Sequence, residues 1–207
     1  MSSRKIPQAI AWAHSLEHEE GIAKLVEKGK SQFAGPEIKG KTLGIIGLGA
    51  IGALVANAAI ALGMQVVGTD PFLSVGAALR LNPAVKIVKD SDGVFAAADY
   101  LTIHVPFNND TKGMINAETI AKMKDGVRVL NYARGELVND DDMLAALASG
   151  KVTCYCTDFP NEKTCNAEGI IATPHLGAST PESEENCASM AAEELISYLE
   201  TGNIRNS

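Results

Sequence analysis

Three side chains of this sequence could act together in one site, namely those of Arg134, of His175 and of an acid that lies between them in the chain. An arginine presents a planar cation that matches a carboxylate. A histidine can take up or release a proton near neutral pH, and a nearby carboxylate can orient and stabilise its charged form. Either Asp158 or Glu162 could supply that carboxylate. Together these groups could hold an organic acid and move a proton beside its carboxylate.

Each of these residues also has a purely structural interpretation. Arg134 could form an ion pair with the acidic run at 140–142, and a single acid such as Asp158 or Glu162 is often a solvated loop residue. We favour the site interpretation because each residue follows an apolar run that reads as a strand, and residues in that position can share one edge of a sheet.

A glycine-rich stretch forms a second candidate site, which suits phosphate groups. Its sequence is Gly47-Leu48-Gly49-Ala50-Ile51-Gly52, between a predicted strand and a predicted helix. In this pattern Gly47 permits the tight turn, Gly49 lets a pyrophosphate approach the backbone, and Gly52 lets the helix pack closely on the strand. The N–H groups that open the helix, at Ala50 and Ile51, favour an anion. The stretch therefore predicts a dinucleotide site.

Asp70 indicates which dinucleotide the site prefers. It ends a second apolar run after the glycines, where a carboxylate can accept hydrogen bonds from the adenine ribose hydroxyls. A carboxylate repels the 2′-phosphate of NADP, and the next cation along the chain is Arg80. NAD is therefore favoured over NADP.

The elements that must position these residues alternate between strand and helix. Apolar runs and turn residues predict strands at 42–46, 64–69, 85–88, 100–103, 127–131, 152–157 and 170–172. Predicted helices span 6–15, 21–32, 50–62, 74–81, 92–98, 117–123, 139–148 and 181–200. This alternation predicts the α/β class, with a doubly wound parallel sheet of the Rossmann type.

His104 follows the predicted strand 100–103, within His104-Val105-Pro106. At the carboxyl end of a parallel strand it could line the cofactor crevice. A histidine that only fixes the turn before Pro106 fits the sequence equally well.

Composition excludes several classes of protein. The chain has 207 residues, 46% hydrophobic and 21% charged, and a net charge of −7, which argues against a nucleic-acid surface. Residues 42–69 carry no charge and are long enough to span a bilayer, but buried parallel strands also read as apolar runs, so we expect no membrane span.

Cys154 and Cys156 share one face of a predicted strand, where core packing is favoured over a metal site. No signal peptide is evident, and together with a nucleotide-binding fold this favours the cytoplasm.

These residue types predict the oxidation of a 2-hydroxy acid, a small-molecule substrate. The reaction removes a hydride from carbon and a proton from oxygen. NAD can accept the hydride and His175 the proton, while Arg134 holds the carboxylate and an acid stabilises the imidazolium.

The chain resembles the D-isomer-specific 2-hydroxyacid dehydrogenases. The resemblance covers most of residues 36–205 and rests on four segments, namely 47–52, 104–106, 131–138 and 174–180. It implies that Arg134 binds the substrate carboxylate, that His175 is the acid and base, and that Glu162 pairs with it. It also implies cofactor contacts from Val105, Pro106, Ala133, Asp158 and Gly177. Residues 174–180 most resemble the members that oxidise D-3-phosphoglycerate.

Two departures from the family pattern bear on these roles. The family commonly reads Asp-x-Phe-x-x-Glu-Pro, whereas the segment 158–163 is one residue shorter and lacks the proline, so Glu162 is the least secure assignment. Family members also carry a separate substrate domain, which nothing in residues 1–41 could form. We expect helices at 1–35 that pack on the nucleotide domain or on a partner, an NAD-binding domain at 36–207, and a homodimer. The chain is therefore expected to be a truncated or excised cofactor domain.

Overall fold

The computed structural model describes residues 1–204 of the chain. These residues divide into two compact units, one spanning Met1–Thr173 and one that begins at Pro174. All the strands of the described residues belong to the first unit.

Strands and helices alternate through the first unit from residue 42 onward. The strands are β1 (Thr42–Ile46), β2 (Gln65–Thr69), β3 (Lys86–Ile87), β4 (Tyr100–Ile103), β5 (Val127–Asn131), β6 (Val152–Thr157) and β7 (Ile170–Ala172). The helices are α1 (Ile6–Ser15), α2 (Ile22–Gly29), α3 (Ala50–Ala61), α4 (Val75–Arg80), α5 (Ser91–Ala97), α6 (Ala117–Ala121) and α7 (Asp140–Ala148). Single 3-10 turns lie at Lys30–Phe33 and Gly135–Leu137.

The seven strands form one sheet in the order β3-β2-β1-β4-β5-β6-β7. Every pair of neighbours is parallel, so each connection must cross over one face of the sheet. This confirms the predicted α/β class and doubly wound parallel sheet.

The core lies on both faces of the sheet, because helices cover a parallel sheet on both sides. All four residues of β4 are buried, and Ile45 of β1 and Leu101 of β4 are fully inaccessible to solvent. Burial on both faces explains why these strands read as unbroken apolar runs. It also explains the uncharged stretch 42–69, which folds as β1, α3 and β2.

The starts of α4 to α7 are fixed by side chains that accept backbone N–H groups. Asn116 caps α6 in a reciprocal capping box with Thr119, and Asn139 caps α7 by accepting the Asp142 N–H. Among residues 1–204, no helix is both long enough and apolar enough to cross a membrane.

The N-terminal helices pack against each other and against the 3-10 turn that follows them. The rings of Trp12 and Phe33 lie 5.2 Å apart between centroids. Arg128 of β5 donates from Nε to the carbonyl oxygen of Ser2 at 2.9 Å, and the Ser3 hydroxyl donates to the carbonyl oxygen of Pro36. This segment is thereby joined to the strand-bearing part of the first unit.

The second unit contains α8 (Pro181–Thr201). Thr180 caps the helix by accepting the Ser183 N–H, Pro181 occupies its first position, and Gly202 ends it at a φ of 72°. These boundaries agree with the helix that the sequence predicts. No residue of α8 is buried.

Candidate functional site

The carboxyl ends of the central strands are in register. Ile46 of β1 pairs with Thr69 of β2 and Ile103 of β4, and the alignment continues to Asn131 of β5 and Thr157 of β6. The next residue on each strand therefore lies at the same edge of the sheet. These residues are Gly47, Asp70, His104, Tyr132 and Asp158.

The chain reverses its direction across the sheet between β1 and β4. From β1 it proceeds outward through β2 to β3, then returns to place β4 on the other side of β1. Crossovers therefore leave β1 and β4 in opposite directions, which opens a crevice at their carboxyl ends. The glycine turn and His104 both lie at this crevice.

The glycine turn is shaped by close backbone contacts. Gly47 has a φ of +93°, a conformation that side chains disfavour, and a Cβ there would lie 2.7 Å from the His104 carbonyl oxygen. A Cβ on Gly52 would lie 1.9 Å from the Gly47 carbonyl oxygen. Gly47 and Gly52 thus have the turning and packing roles that the sequence predicts for them.

Gly49 differs from its two neighbours in the motif. A Cβ on Gly49 would meet no atom within 4 Å, so the backbone faces open space. Ala50 and Ile51, which open α3, are exposed, and the helix start presents free N–H groups. Open space in front of a helix N-terminus fits a pyrophosphate.

Asp70 is held directly beside the glycine turn. Its Oδ2 accepts the Leu48 N–H at 2.9 Å, and its Oδ1 accepts the Phe72 N–H at 2.9 Å. The carboxylate is half-buried and keeps further lone pairs for a ligand hydroxyl. Gly49 and Asp70 together fit a dinucleotide whose ribose carries free hydroxyls.

His104 is half-buried at the end of β4. Its Nε2 lies 3.0 Å from the Thr102 hydroxyl, and burial lowers the pKa of the imidazole below its usual value. A neutral ring is therefore favoured. Val105 and Pro106 continue from it, half-buried and exposed respectively, so both can line the crevice.

Asn131 is a positioning residue that the sequence analysis missed. Fully buried at the end of β5, it donates from Nδ2 to the Arg134 carbonyl oxygen at 2.8 Å and accepts the Ala133 N–H at 3.2 Å. Its Nδ2 also lies 3.3 Å from the Tyr155 hydroxyl. A polar residue at the last position of a buried strand was the available signal. These contacts fix the backbone that carries Ala133 and Arg134.

Arg134 is exposed, and its Nη1 donates to the Ala133 carbonyl oxygen at 2.6 Å. The acidic residues 140–142, which could have formed an ion pair with Arg134, bind other groups. Asp141 pairs with Lys163 at 2.7 Å, Asp140 accepts from Asn161 at 2.8 Å, and Asp142 accepts the Ala117 N–H. Within residues 1–204, no ion pair forms between Arg134 and this run. The guanidinium can therefore take a ligand carboxylate.

Glu162 lies on the loop after β6, exposed between two anchored residues. Asn161 and Lys163 on either side bind the first turn of α7 through Asp140 and Asp141. Asn161 also accepts the Thr164 N–H at 3.2 Å, and Thr164 is buried. These contacts anchor the loop on both sides of Glu162.

Asp158 is buried at the end of β6, near Tyr132. Partial burial, together with the nearby Cys156 thiol and Asp158 carboxylate, raises the pKa of Tyr132 to about 12. The Tyr132 phenol is therefore protonated at neutral pH.

His175 and Gly177 belong to the second unit and are exposed there. The structure thus brings the glycine turn, Asp70 and His104 together in the first unit, with Arg134 following a neighbouring strand. The place of His175 and Gly177 in the site remains a prediction. Among the described residues, no group of three His, Cys, Asp or Glu side chains could hold a metal ion.

A family model described as "D-isomer specific 2-hydroxyacid dehydrogenase, NAD binding domain" matches residues 2–177. The chain belongs to this family of NAD-dependent oxidoreductases. This confirms the resemblance that the motifs predict.

Individual relatives extend this assignment. D-3-phosphoglycerate dehydrogenase of Bacillus subtilis is 39% identical over 178 residues, which are 83% of this chain and 33% of that protein. Hydroxypyruvate reductase of Thermotoga maritima is 36% identical over 179 residues, 82% of this chain and 56% of that protein. The structure of D-mandelate dehydrogenase from Rhodotorula graminis superposes with a TM-score of 0.79 at 24% identity, over 95% of this chain and 58% of that one, and shows the shared fold alone.

Proposed function

We propose that the chain is the NAD-binding part of a D-3-phosphoglycerate dehydrogenase, which oxidises D-3-phosphoglycerate to 3-phosphohydroxypyruvate in serine biosynthesis. The observation that carries the cofactor assignment is the open space at Gly49 beside the Asp70 carboxylate. The substrate assignment is supported by the identity to phosphoglycerate dehydrogenases and by the segment 174–180.

On the cofactor side, Asp70 selects NAD over NADP by repelling a 2′-phosphate. The glycine turn and the start of α3 hold the pyrophosphate. Asp158 would lie near the nicotinamide carboxamide. The remaining contacts come from His104, Val105, Pro106, Ala133 and Gly177.

On the substrate side, Arg134 binds the carboxylate and polarises the forming carbonyl. His175 takes the hydroxyl proton, and Glu162 stabilises the imidazolium that results. The chemistry that NAD supplies when bound is acceptance of the hydride from the substrate carbon. The products are NADH, a 2-oxo acid and one proton.

The chain spans about a third to a little over half of the length of the curated relatives described above. We propose that a substrate domain outside these 207 residues covers the crevice and supplies the groups that bind the substrate phosphate. The N-terminal helices, where Ile6 and Ile10 are exposed, are proposed to pack across a homodimer.

A different 2-hydroxy acid is the second candidate substrate, because the identity to hydroxypyruvate reductase is almost as high. A third candidate function is an NAD-sensing module without catalysis. The presence of Arg134, His175 and an acid, either Asp158 or Glu162, argues against the third.

The test uses the longest natural protein that contains this chain. NADH oxidation is followed with 3-phosphohydroxypyruvate, hydroxypyruvate and glyoxylate as alternative substrates. We expect the highest kcat/KM with 3-phosphohydroxypyruvate, and a His175→Ala variant should lose roughly 10²- to 10⁴-fold in kcat while keeping its NADH affinity. A preference for hydroxypyruvate would support the second candidate, and unchanged turnover in the variant would remove His175 from the reaction.

A further inference from the structure

A cavity of about 180 Å³ lies at the amino-terminal ends of β4 and β5, at the opposite end of the strands from the glycine turn. We call it the amino-edge cavity. Its charged and aromatic lining residues are Lys41, Asp99, Tyr100, Lys124, Asp125 and Arg128. A water takes up about 30 Å³ in the liquid, so the cavity has room for several waters or for one small ion.

Tyr100 brings a hydroxyl without a hydrogen-bond partner to this cavity. The residue opens β4 and is 3% exposed. Its hydroxyl oxygen is buried and forms no hydrogen bond with any residue that the structure describes. Most buried polar groups in folded proteins are paired, because leaving one unpaired destabilises the fold. The hydroxyl therefore points to a bound group that pairs with it.

Arg128 lies beside Tyr100 and has donors that remain unused. The two residues are paired across β4 and β5, with the guanidinium carbon 5.3 Å from the centre of the Tyr100 ring. The Arg128 Nε donates to the Ser2 carbonyl oxygen at 2.9 Å, which orients the guanidinium. Within residues 1–204, neither Nη atom of Arg128 donates a hydrogen bond. An arginine oriented in advance can bind an oxyanion with little further loss of entropy.

The balance of charge in the cavity favours an anion. Both of its carboxylates are already paired, Asp99 with Lys124 at 3.0 Å and Asp125 with a lysine outside the cavity at 2.8 Å. Neither Lys41 nor Arg128 forms an ion pair with another described residue. Two positive charges of the lining are therefore not neutralised by a carboxylate.

We propose that the amino-edge cavity is an anion site, which binds a small oxyanion of the phosphate type. The Nη groups of Arg128 donate to its oxygens, the Tyr100 hydroxyl donates to another, and Lys41 adds charge from its exposed position. A tetrahedral oxyanion suits these donors because they come from three segments of the chain, namely the residue before β1, β4 and β5. The site lies away from residues 47–52, so it does not depend on the proposed cofactor function.

Nuclear magnetic resonance can locate phosphate on the intact 207-residue chain. Inorganic phosphate is titrated into the isotopically labelled protein at neutral pH, with sodium chloride adjusted to keep the ionic strength constant. We expect saturable shifts of the backbone amides at residues 99–101 and 126–129. Absence of saturable shifts there would overturn the proposal, because the cavity would then hold only water. Shifts confined to residues 47–52 would also overturn it, since phosphate would then bind at the glycine turn alone.

Tyr100→Phe tests the hydroxyl because it removes a single oxygen. We expect the Kd for phosphate to rise roughly tenfold, since one hydrogen bond to a charged group is lost. The urea midpoint without phosphate should not fall, because the hydroxyl has no partner among the described residues. Tyr198→Phe, at an exposed position of α8, is the matched control and should change neither quantity. An unchanged Kd in Tyr100→Phe would overturn the proposed site.

Lys41→Gln tests the charge at an exposed position, where a substitution leaves the packing of the fold intact. We expect phosphate to bind roughly fivefold more weakly. Lys122→Gln is the matched control, because Lys122 pairs with Asp92 and Glu118 and does not line the cavity. Equal weakening in the two lysine variants would overturn the proposal by showing an effect of net charge alone. The wild-type titration decides the location of phosphate even if Tyr100→Phe fails to fold.

Discussion

Among single residues, Asp70 connects the fold most directly to the proposed ligand. Its two oxygens accept the N–H groups of Leu48 and Phe72, so the carboxylate is fixed before any ligand arrives. A fixed acceptor loses little entropy when a ribose hydroxyl binds. Hydrogen bonds to a charged group are worth about 1.5 to 3 kcal/mol, so one residue can decide which dinucleotide is bound.

Asp70→Asn tests this role because it removes the charge and keeps one carbonyl oxygen. We expect NADH affinity to fall roughly tenfold, as one charge-assisted hydrogen bond weakens by about 1.4 kcal/mol, while affinity for NADPH rises relative to NADH. Fluorescence titration with each dinucleotide measures both. Asp90→Asn, a helix cap distant in sequence, is the matched control. An unchanged ratio of the two affinities would contradict the selection by charge.

His104 predicts a pH dependence of stability. Burial lowers its pKa in the folded state below the unfolded value of 6.5. Above pH 6.5 the imidazole is mostly neutral in both the folded and the unfolded state, so it does not change the free energy of unfolding. Below it the unfolded state binds the proton more readily, so stability falls as pH falls towards the folded pKa.

His104→Gln should therefore lose less stability than the wild type between about pH 7.5 and about pH 5.5. Urea unfolding at both pH values gives the free energies of unfolding. His14→Gln, at an exposed position of α1, should behave like the wild type. An equal loss of unfolding free energy in the wild type and in His104→Gln would show that other titrating groups cause the pH dependence.

At the scale of elements, glycine has two different roles in the unit formed by β1, the glycine turn and α3. Gly52 is required for packing, since a Cβ would overlap the Gly47 carbonyl oxygen. Gly49 has an ordinary negative φ of −66° and open space around it, so the fold does not require a glycine there. Glycine is a favourable N-cap for α3, and the open space in front of it also fits a ligand.

Gly49→Val should therefore affect mainly NADH binding, whereas Gly52→Ala should affect mainly the stability of the fold. We expect Gly49→Val to lose about 0.5 to 1.5 kcal/mol of stability, because valine replaces the N-cap glycine of α3, but to bind NADH at least roughly tenfold more weakly, since its side chain fills the proposed pyrophosphate position. Gly52→Ala should lose about 1 to 3 kcal/mol of stability through overpacking. Urea unfolding and NADH titration of both variants make the comparison. Normal NADH binding by Gly49→Val would place the pyrophosphate elsewhere.

The elements were predictable because their signals are local. Apolar runs bounded by glycine and polar caps gave the order of strands and helices, and α8 agrees at both ends. Short edge elements were less well predicted. The strand expected at 85–88 is only Lys86–Ile87, because it pairs with β2 alone, and the predicted helix 21–32 ends at Gly29 and continues as a 3-10 turn.

The site was only partly predictable, because its fixing contacts join distant parts of the chain. The glycine turn and Asp70 follow a spacing with a known mechanical cause, so the sequence reveals them. The hydrogen bond from Asn161 to Asp140 depends on how two distant segments meet after folding, whereas the one from Asn131 to the Arg134 carbonyl spans only three residues. Neither residue type nor spacing distinguishes Asn161 from an ordinary loop residue, whereas Asn131 is a polar residue at the end of a buried strand.

At the scale of the whole molecule, the described residues expose apolar side chains on α8 and charged side chains at the candidate site. α8 has no buried residue, and its exposed apolar side chains include Met190, Leu195, Ile196, Tyr198 and Leu199. Arg134 and Glu162 are exposed as well. An exposed arginine binds a carboxylate weakly in water, whereas a closed site strengthens the same ion pair by excluding water.

Cofactor binding and turnover should therefore separate in the 207-residue chain. The glycine turn and Asp70, which are proposed to bind the pyrophosphate and the adenine ribose of NAD, both lie in the first unit, so NADH fluorescence titration should saturate. Steady-state oxidation of D-3-phosphoglycerate should be undetectable, because nothing excludes water from Arg134 and the substrate phosphate lacks its proposed ligands. A His175→Ala variant of the same chain separates true turnover from contaminating activity. Turnover that this variant abolishes would show that the chain is catalytically sufficient, and absence of NADH binding would refute the cofactor site itself.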